Sequence, residues 1–202
     1  MRHSKFKSRC AESLIETIIA VTVIIIGSSA AIGITHTSLK GNESIGYKMV
    51  AMNLAQEGIE AVKNIRDSNY LRFASNPDDC WDNLTATVAT SCANGTSIIN
   101  GTTYYLTRDL STYFFQWGMS RNNIATKTAI STYTLDSTHQ IYAEYGATCS
   151  SCTSSAVATI YSRTLSIANK TEDSLDLTVT VTWTESGISK TLSLTRTIAN
   201  VY

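Results

Sequence analysis

Between Glu16 and Lys40 the chain carries no charged side chain, and its segment TIIAVTVIIIGSSAAIGI (Thr17–Ile34) is built largely of Ile, Val and Ala. As a helix that segment is about 27 Å long, close to the hydrocarbon thickness of a bilayer. Ile and Val so dominate Ile18–Ile26 that no polar face remains to be turned toward water, and the run reads as a membrane helix rather than a buried soluble one. In a chain of 202 residues this leaves room for one ordinary globular domain. Arg2, Lys5, Lys7 and Arg9 precede the run, and no acid appears before Glu12. The positive-inside rule therefore puts the opening in the cytoplasm and the residues beyond 36 outside.

Two processing fates follow from such a segment. A secretory signal would be cut after the apolar run, and Ser28-Ser29-Ala30 offers a small-residue site for that. Glu16 argues for the other fate: a carboxylate pressed onto a membrane helix is unfavourable unless paired, and marks function by default. The residues Ser13-Leu14-Ile15-Glu16, opening the run behind a short basic leader, resemble the class III signal of type IV prepilins. In that family the cut falls before the helix and a glutamate stands at the fifth mature position. The resemblance implies cleavage between Ala11 and Glu12, N-methylation at Glu12 by the prepilin peptidase, and a filament-assembly role for Glu16. The family usually has Gly before the cut and an apolar residue after it, where this chain has Ala11 and Glu12. After cleavage the α-amino group of Glu12 and the carboxylate of Glu16, one helical turn apart, would neutralise one another within or between subunits. Gly27 and Ala31, and Ser29 and Gly33, stand at small-xxx-small spacing, which permits close helix approach.

Beyond the membrane run, Ile45, Met49, Met52, Ala55, Ile59, Val62 and Ile65 recur every three or four residues, the stripe of an amphipathic helix continuing to about residue 66. The run Leu54–Tyr70 (LAQEGIEAVKNIRDSNY) is similar to the corresponding segment of the type IV pilus modification (PilV-like) minor pilins, and so is the ending VTVTWTESGISKTLSLTRTIANVY. Gly58 costs about 1 kcal/mol of helix propensity, which points to a tight contact there. Residues 67–100 read as loop, with a turn at Asn76-Pro77-Asp78-Asp79. Leu175, Leu177, Val179, Val181 and Trp183 alternate with polar residues as a strand, Glu185-Ser186-Gly187 turns, and Leu192, Leu194 and Ile198 continue on the next strand. Earlier strands are expected at 103–110, 140–145 and 156–167.

The expected fold class is α+β: a long N-terminal helix, half in membrane and half amphipathic, packed on a C-terminal antiparallel sheet, which is the pilin fold that the resemblance implies. The expected organisation is a removed leader over 1–11, a transmembrane or filament-core helix over 12–35, its amphipathic continuation over 36–66, and an extracytoplasmic β-rich head over 67–202.

Composition adds constraints on partners. The 16 basic and 16 acidic residues balance formally, but loss of the leader with its four cations leaves 12 against 16. No nucleic-acid-binding surface is indicated. Apart from Cys10 in the leader, Cys80, Cys92, Cys149 and Cys152 form an even set suited to two disulfides in an oxidising compartment. The expected pairing is 80–92 with 149–152, one of three connectivities. Cys149-Ser-Ser-Cys152 has redox-motif spacing but no following helix pattern, and as a zinc site together with Cys80 and Cys92 it lacks, at Cys80–Cys92, the short knuckle spacing of most such sites. His3, His36 and His139 are isolated, no glycine-rich phosphate loop exists, and neither a catalytic constellation nor a cofactor or metal site is expected. Tyr104, Tyr105, Tyr113, Phe114, Phe115 and Trp117 form a dense group expected in the core.

The resulting expectation is a minor pilin, a structural subunit and not an enzyme. Its partners are membrane lipid, prepilin peptidase and other pilin subunits, and it moves from the cytoplasmic membrane to a cell-surface filament. A pseudopilin of a secretion or DNA-uptake system and a singly anchored surface adhesin are the alternatives.

Overall fold

The computed structural model describes residues 9–84, 92, 96–109, 116–121, 129–134, 140–144 and 157–200. The chain divides into two units, Met1–Tyr47 and Lys48–Tyr202. The helix α1 (Arg9–Arg72) supplies all the described structure of the first and opens the second.

In the first unit the large apolar side chains from Leu14 to Leu39 are all 53–69% exposed. In the second, burial of the helix starts at Ala51 and takes in Leu54, Ala55, Ile59, Val62 and Ile65. Ile45 and Met49, which belong to the same sequence stripe, stay exposed. The helix also runs past the expected end at 66. Asn69 and Tyr70 are buried, and the Asn69 amide donates to the carbonyls of Trp81 (3.0 Å) and Asn83 (2.8 Å). Tertiary contacts thus hold the last turns helical. A short helix α2 (Pro77–Cys80) begins at the Asn-Pro turn, within the segment read as loop.

The second unit is α+β. Among the described residues its antiparallel sheet has seven strands: β1 (Thr103–Asp109), β2 (Gln116–Ser120), β3 (Ala129–Thr134), β4 (Gln140–Glu144), β5 (Val157–Ala168), β6 (Ser174–Glu185) and β7 (Ile188–Ala199). The expected strands at 103–110, 140–145 and 156–167 are present over their described residues, with 110, 145 and 156 lying outside these, the expected hairpin from Leu175 to Ile198 is present, and β2 and β3 are additions. β5 is the hub. One edge pairs with β6, and the other pairs with β3 and β1, which carry β4 and β2 respectively. The β6–β7 hairpin closes at Glu185 and Ile188 through Ser186 and Gly187, whose φ values of 50° and 80° are those of a type I′ turn.

Period-two alternation decides the faces. Leu175, Leu177, Val179, Val181 and Trp183 of β6 and Tyr161, Arg163, Leu165 and Ile167 of β5 are buried against the helix side. The opposite face carries Ser and Thr in register: Ser162 with Thr182 (2.5 Å), Thr180 with Ser193 (3.0 Å) and Thr178 with Thr195 (3.0 Å). Tyr104 and Tyr105 are buried as expected and Trp117 is half-buried. Tyr113, Phe114 and Phe115 lie outside the described residues.

Gly58 marks a close approach of helix and sheet. A Cβ there would lie 2.9 Å from Val179 Cγ1 and 3.5 Å from Arg163 Cδ. Through this gap the fully buried Arg163 reaches the helix backbone. Its Nη1 donates to the Leu54 carbonyl at 2.7 Å and to Glu57 Oε2 at 3.2 Å. A buried guanidinium needs such partners, and only a helix without a side chain at 58 lets the arginine stem lie so close.

Candidate functional site

The first candidate site is the apolar length of α1. A helix exposed to hydrocarbon must satisfy its polar groups internally, since each orphan costs several kcal/mol there. Its hydroxyls meet that demand: Thr17 donates to the Leu14 carbonyl (2.9 Å), Thr22 to Ile19 (2.8 Å), Ser28 to Ile24 (2.7 Å), Ser29 to Ile25 (2.8 Å), Thr35 to Ile32 (2.9 Å) and Thr37 to Gly33 (3.0 Å). The Ser and Thr residues of the run are therefore compatible with lipid on all sides. Glu16 differs. Its side chain is exposed, and among the described residues it has neither a hydrogen-bond nor an ion-pair partner. The helix is a candidate single-pass membrane anchor, long and apolar enough to cross a bilayer.

Ala11 and Glu12 lie in the first turns of α1, so the expected cleavage bond is within helical backbone. Glu12 is four residues before Glu16, which puts the two positions on one helix face. Gly27 and Gly33 have open space around them: no atom beyond their own neighbours would lie within 4 Å of an added Cβ. They leave a shallow surface available to another helix.

Cys80 and Cys92 are disulfide-bonded, as expected, with Cα atoms 5.6 Å apart. Cys149 and Cys152 lie outside the described residues. The bridge borders a second candidate site, a polar cleft of about 430 Å³ lined by Asp78, Asp79, Asp82, Ser97, Lys170 and Glu172, among others. Several bonds fix its walls. Trp81 Nε1 donates to the Glu172 carbonyl (3.1 Å), and the Lys170 amide donates to Asn100 Oδ1 (3.2 Å). The buried Asp82 carboxylate faces the Lys170 ammonium at 2.5 Å, so its charge is neutralised within the fold. Nothing in the sequence spacing joins Asp82 to Lys170, 88 positions apart; the turn between β5 and β6 brings them together.

On the hydroxyl face, Asp176 joins three strands or their turns. Asn169 Nδ2 donates to Oδ2 (2.9 Å) and Thr197 Oγ1 to Oδ1 (2.7 Å). The Asn169 bond first, and the Thr197 bond second, hold this carboxyl below the usual aspartate range. Among the described residues no group of three His, Cys, Asp or Glu is arranged to hold a metal ion.

No family model, curated protein or solved structure matches this chain.

Proposed function

We propose that this chain is a structural subunit, a minor pilin, of a type IV pilus or related filament. In this reading the apolar half of α1 inserts in the cytoplasmic membrane with the basic leader inside. Prepilin peptidase cuts between Ala11 and Glu12 and methylates the new amine, and the helix then packs against those of other subunits. One observation carries the reading: the Leu14–Leu39 stretch of α1, whose hydroxyls described above are satisfied internally and whose large apolar side chains are exposed, bears a carboxylate, Glu16, that has no partner among the described residues. A helix serving only as an anchor gains nothing from that charge. A subunit that must find its register gains a polar contact that only a correctly placed neighbour satisfies. The disulfide supports placing the head in an oxidising compartment.

Glu16→Ala tests this reading. The variant should insert in the membrane and lose its leader normally, yet enter filaments poorly. Normal incorporation would remove the assembly role. The polar cleft favours a second reading, a singly anchored adhesin, because its volume lies in the range of small-ligand sites. That reading predicts wild-type behaviour of Glu16→Ala.

A further inference from the structure

Among the described residues β7 has a strand neighbour on one side only, β6. The helix lies over β5 and β6, as Gly58 against Val179 and Leu54 against Arg163 show. The helix-side face of β7 is therefore only partly covered: Leu192 and Leu194 are half-buried, and Ile188 is 59% exposed. Lys190 and Arg196 share that face, paired across the ladder with the inward residues Trp183 and Leu177. Both are exposed and make no ion pair or hydrogen bond among the described residues. Cations pointing to the inner side of an edge strand discourage a further strand from adding. Arg66 Nη1 also occupies the Ala199 carbonyl at 2.9 Å, at one end of the strand. The surface is thus an apolar strip with Lys190 and Arg196 near its ends, neither ion-paired among the described residues, and with Glu185 on the same face opposite Ile188; it is shaped for side chains rather than for backbone pairing.

The same head carries a complementary surface. Asp78, Glu172 and Asp173 are exposed, and they gather where β6 begins: Asn200 donates through its amide N–H to the Asp173 carbonyl (2.6 Å) and through Nδ2 to the Asp78 carbonyl (3.4 Å). Lys190 lies opposite Trp183, nine residues along β6 from Ser174, so it is roughly 30 Å from this acidic end. Arg196, opposite Leu177 and three residues along from Ser174, is roughly 10 Å from the same end, so it is Lys190 that cannot meet the acidic surface within one chain.

We propose that the helix-side face of β7 is an interface between copies of this chain, receiving the acidic end of a second subunit's head against Lys190 and Arg196. The inference rests on the filament reading and adds a head contact to the helix packing. Two different patches of identical chains make a heterologous contact, which joins neighbouring copies without closing as a symmetric dimer. Charge complementarity sets the orientation, while Leu192 and Leu194 supply the apolar centre.

The test uses filaments assembled from the full chain, treated with a zero-length carbodiimide and analysed by mass spectrometry. Amide links from Lys190 to Asp78, Glu172 or Asp173 are expected, and the roughly 30 Å separation makes them intermolecular. Lys190→Glu with Arg196→Glu should lower incorporation by roughly two- to tenfold, and adding Asp78→Lys with Glu172→Lys should restore it. Wild-type filaments without the Lys190 links, or a charge exchange that restores nothing in a chain with an unchanged melting curve, overturn the interface alone. Absence of the wild-type chain from filaments overturns both this interface and the filament reading.

Discussion

Gly58 of α1 and Val179 of β6 touch so closely that a methyl group on the glycine would stand 2.9 Å from Val179 Cγ1. Alanine would gain about 1 kcal/mol of helix propensity. The forced separation of helix and sheet should outweigh that gain, since overpacking typically costs about 1–3 kcal/mol. Gly58→Ala is therefore expected to destabilise the head in denaturant melts, and Val179→Ala in the same chain should recover part of the loss. A more stable Gly58→Ala variant would show that the interface yields.

Arg163 and Glu57 form the second determinant of helix placement. Glu57→Gln leaves a fully buried guanidinium without its counter-charge and should cost about 1–3 kcal/mol. Glu60, whose side chain is 68% exposed, pairs with Lys63 at 2.7 Å, and Glu60→Gln should cost less than about 0.5 kcal/mol. Equal effects of the two substitutions in urea titrations would contradict this ranking.

These two contacts also show what the sequence could and could not reveal. The strand Leu175–Trp183 and the hairpin after it were legible because alternation over nine residues has one reading. Gly58 was legible as an anomaly, a poor helix former within an apolar stripe. Arg163 was not, because a lone arginine among alternating residues is expected on the outer face. β2 (QWGMS) alternates but over only five residues, and β3 (AISTYT) mixes small or hydroxyl residues on both faces, so neither gives a sustained period. The end of α1 moved from 66 to 72 because Asn69 and Tyr70 are held by residues distant in sequence, Trp81, Asn83 and Asn200. The candidate site divided in the same way. Glu16 and the Cys80–Cys92 bridge could be read from local pattern, whereas the cleft joining Asp82 to Lys170 depends on chain crossing.

The Cys80–Cys92 bridge closes a loop of 12 residues' separation beside the buried run Trp81–Asn83. Cys80→Ser with Cys92→Ser should lower stability by about 3 kcal/mol in the chain-entropy account of cross-linking. Oxidised wild type should melt higher than the variant, and a reductant should reduce or abolish the difference. An identical melting curve for the two oxidised proteins would mean that the bridge constrains nothing.

Asp176 gives a pH dependence with a definite sign. Its folded pKa lies below the unfolded value of about 3.9, so its stabilisation is present above that value and disappears as pH falls through the lowered folded pKa. Asp176→Asn removes this titration. The variant should lose less stability than wild type between about pH 5 and the acid limit, measured by thermal melts in a pH series. Parallel curves would mean that the Asn169 and Thr197 bonds do not favour the carboxylate in solution.

If the chain is a processed subunit, the apolar helix stays in the mature protein, and the mature N-terminus reports this. Mass spectrometry of the protein co-expressed with a prepilin peptidase should find a chain beginning at Glu12 and carrying one added methyl group. A chain beginning near Ala31 would contradict the account, because the helix bearing Glu16 would then be a discarded signal.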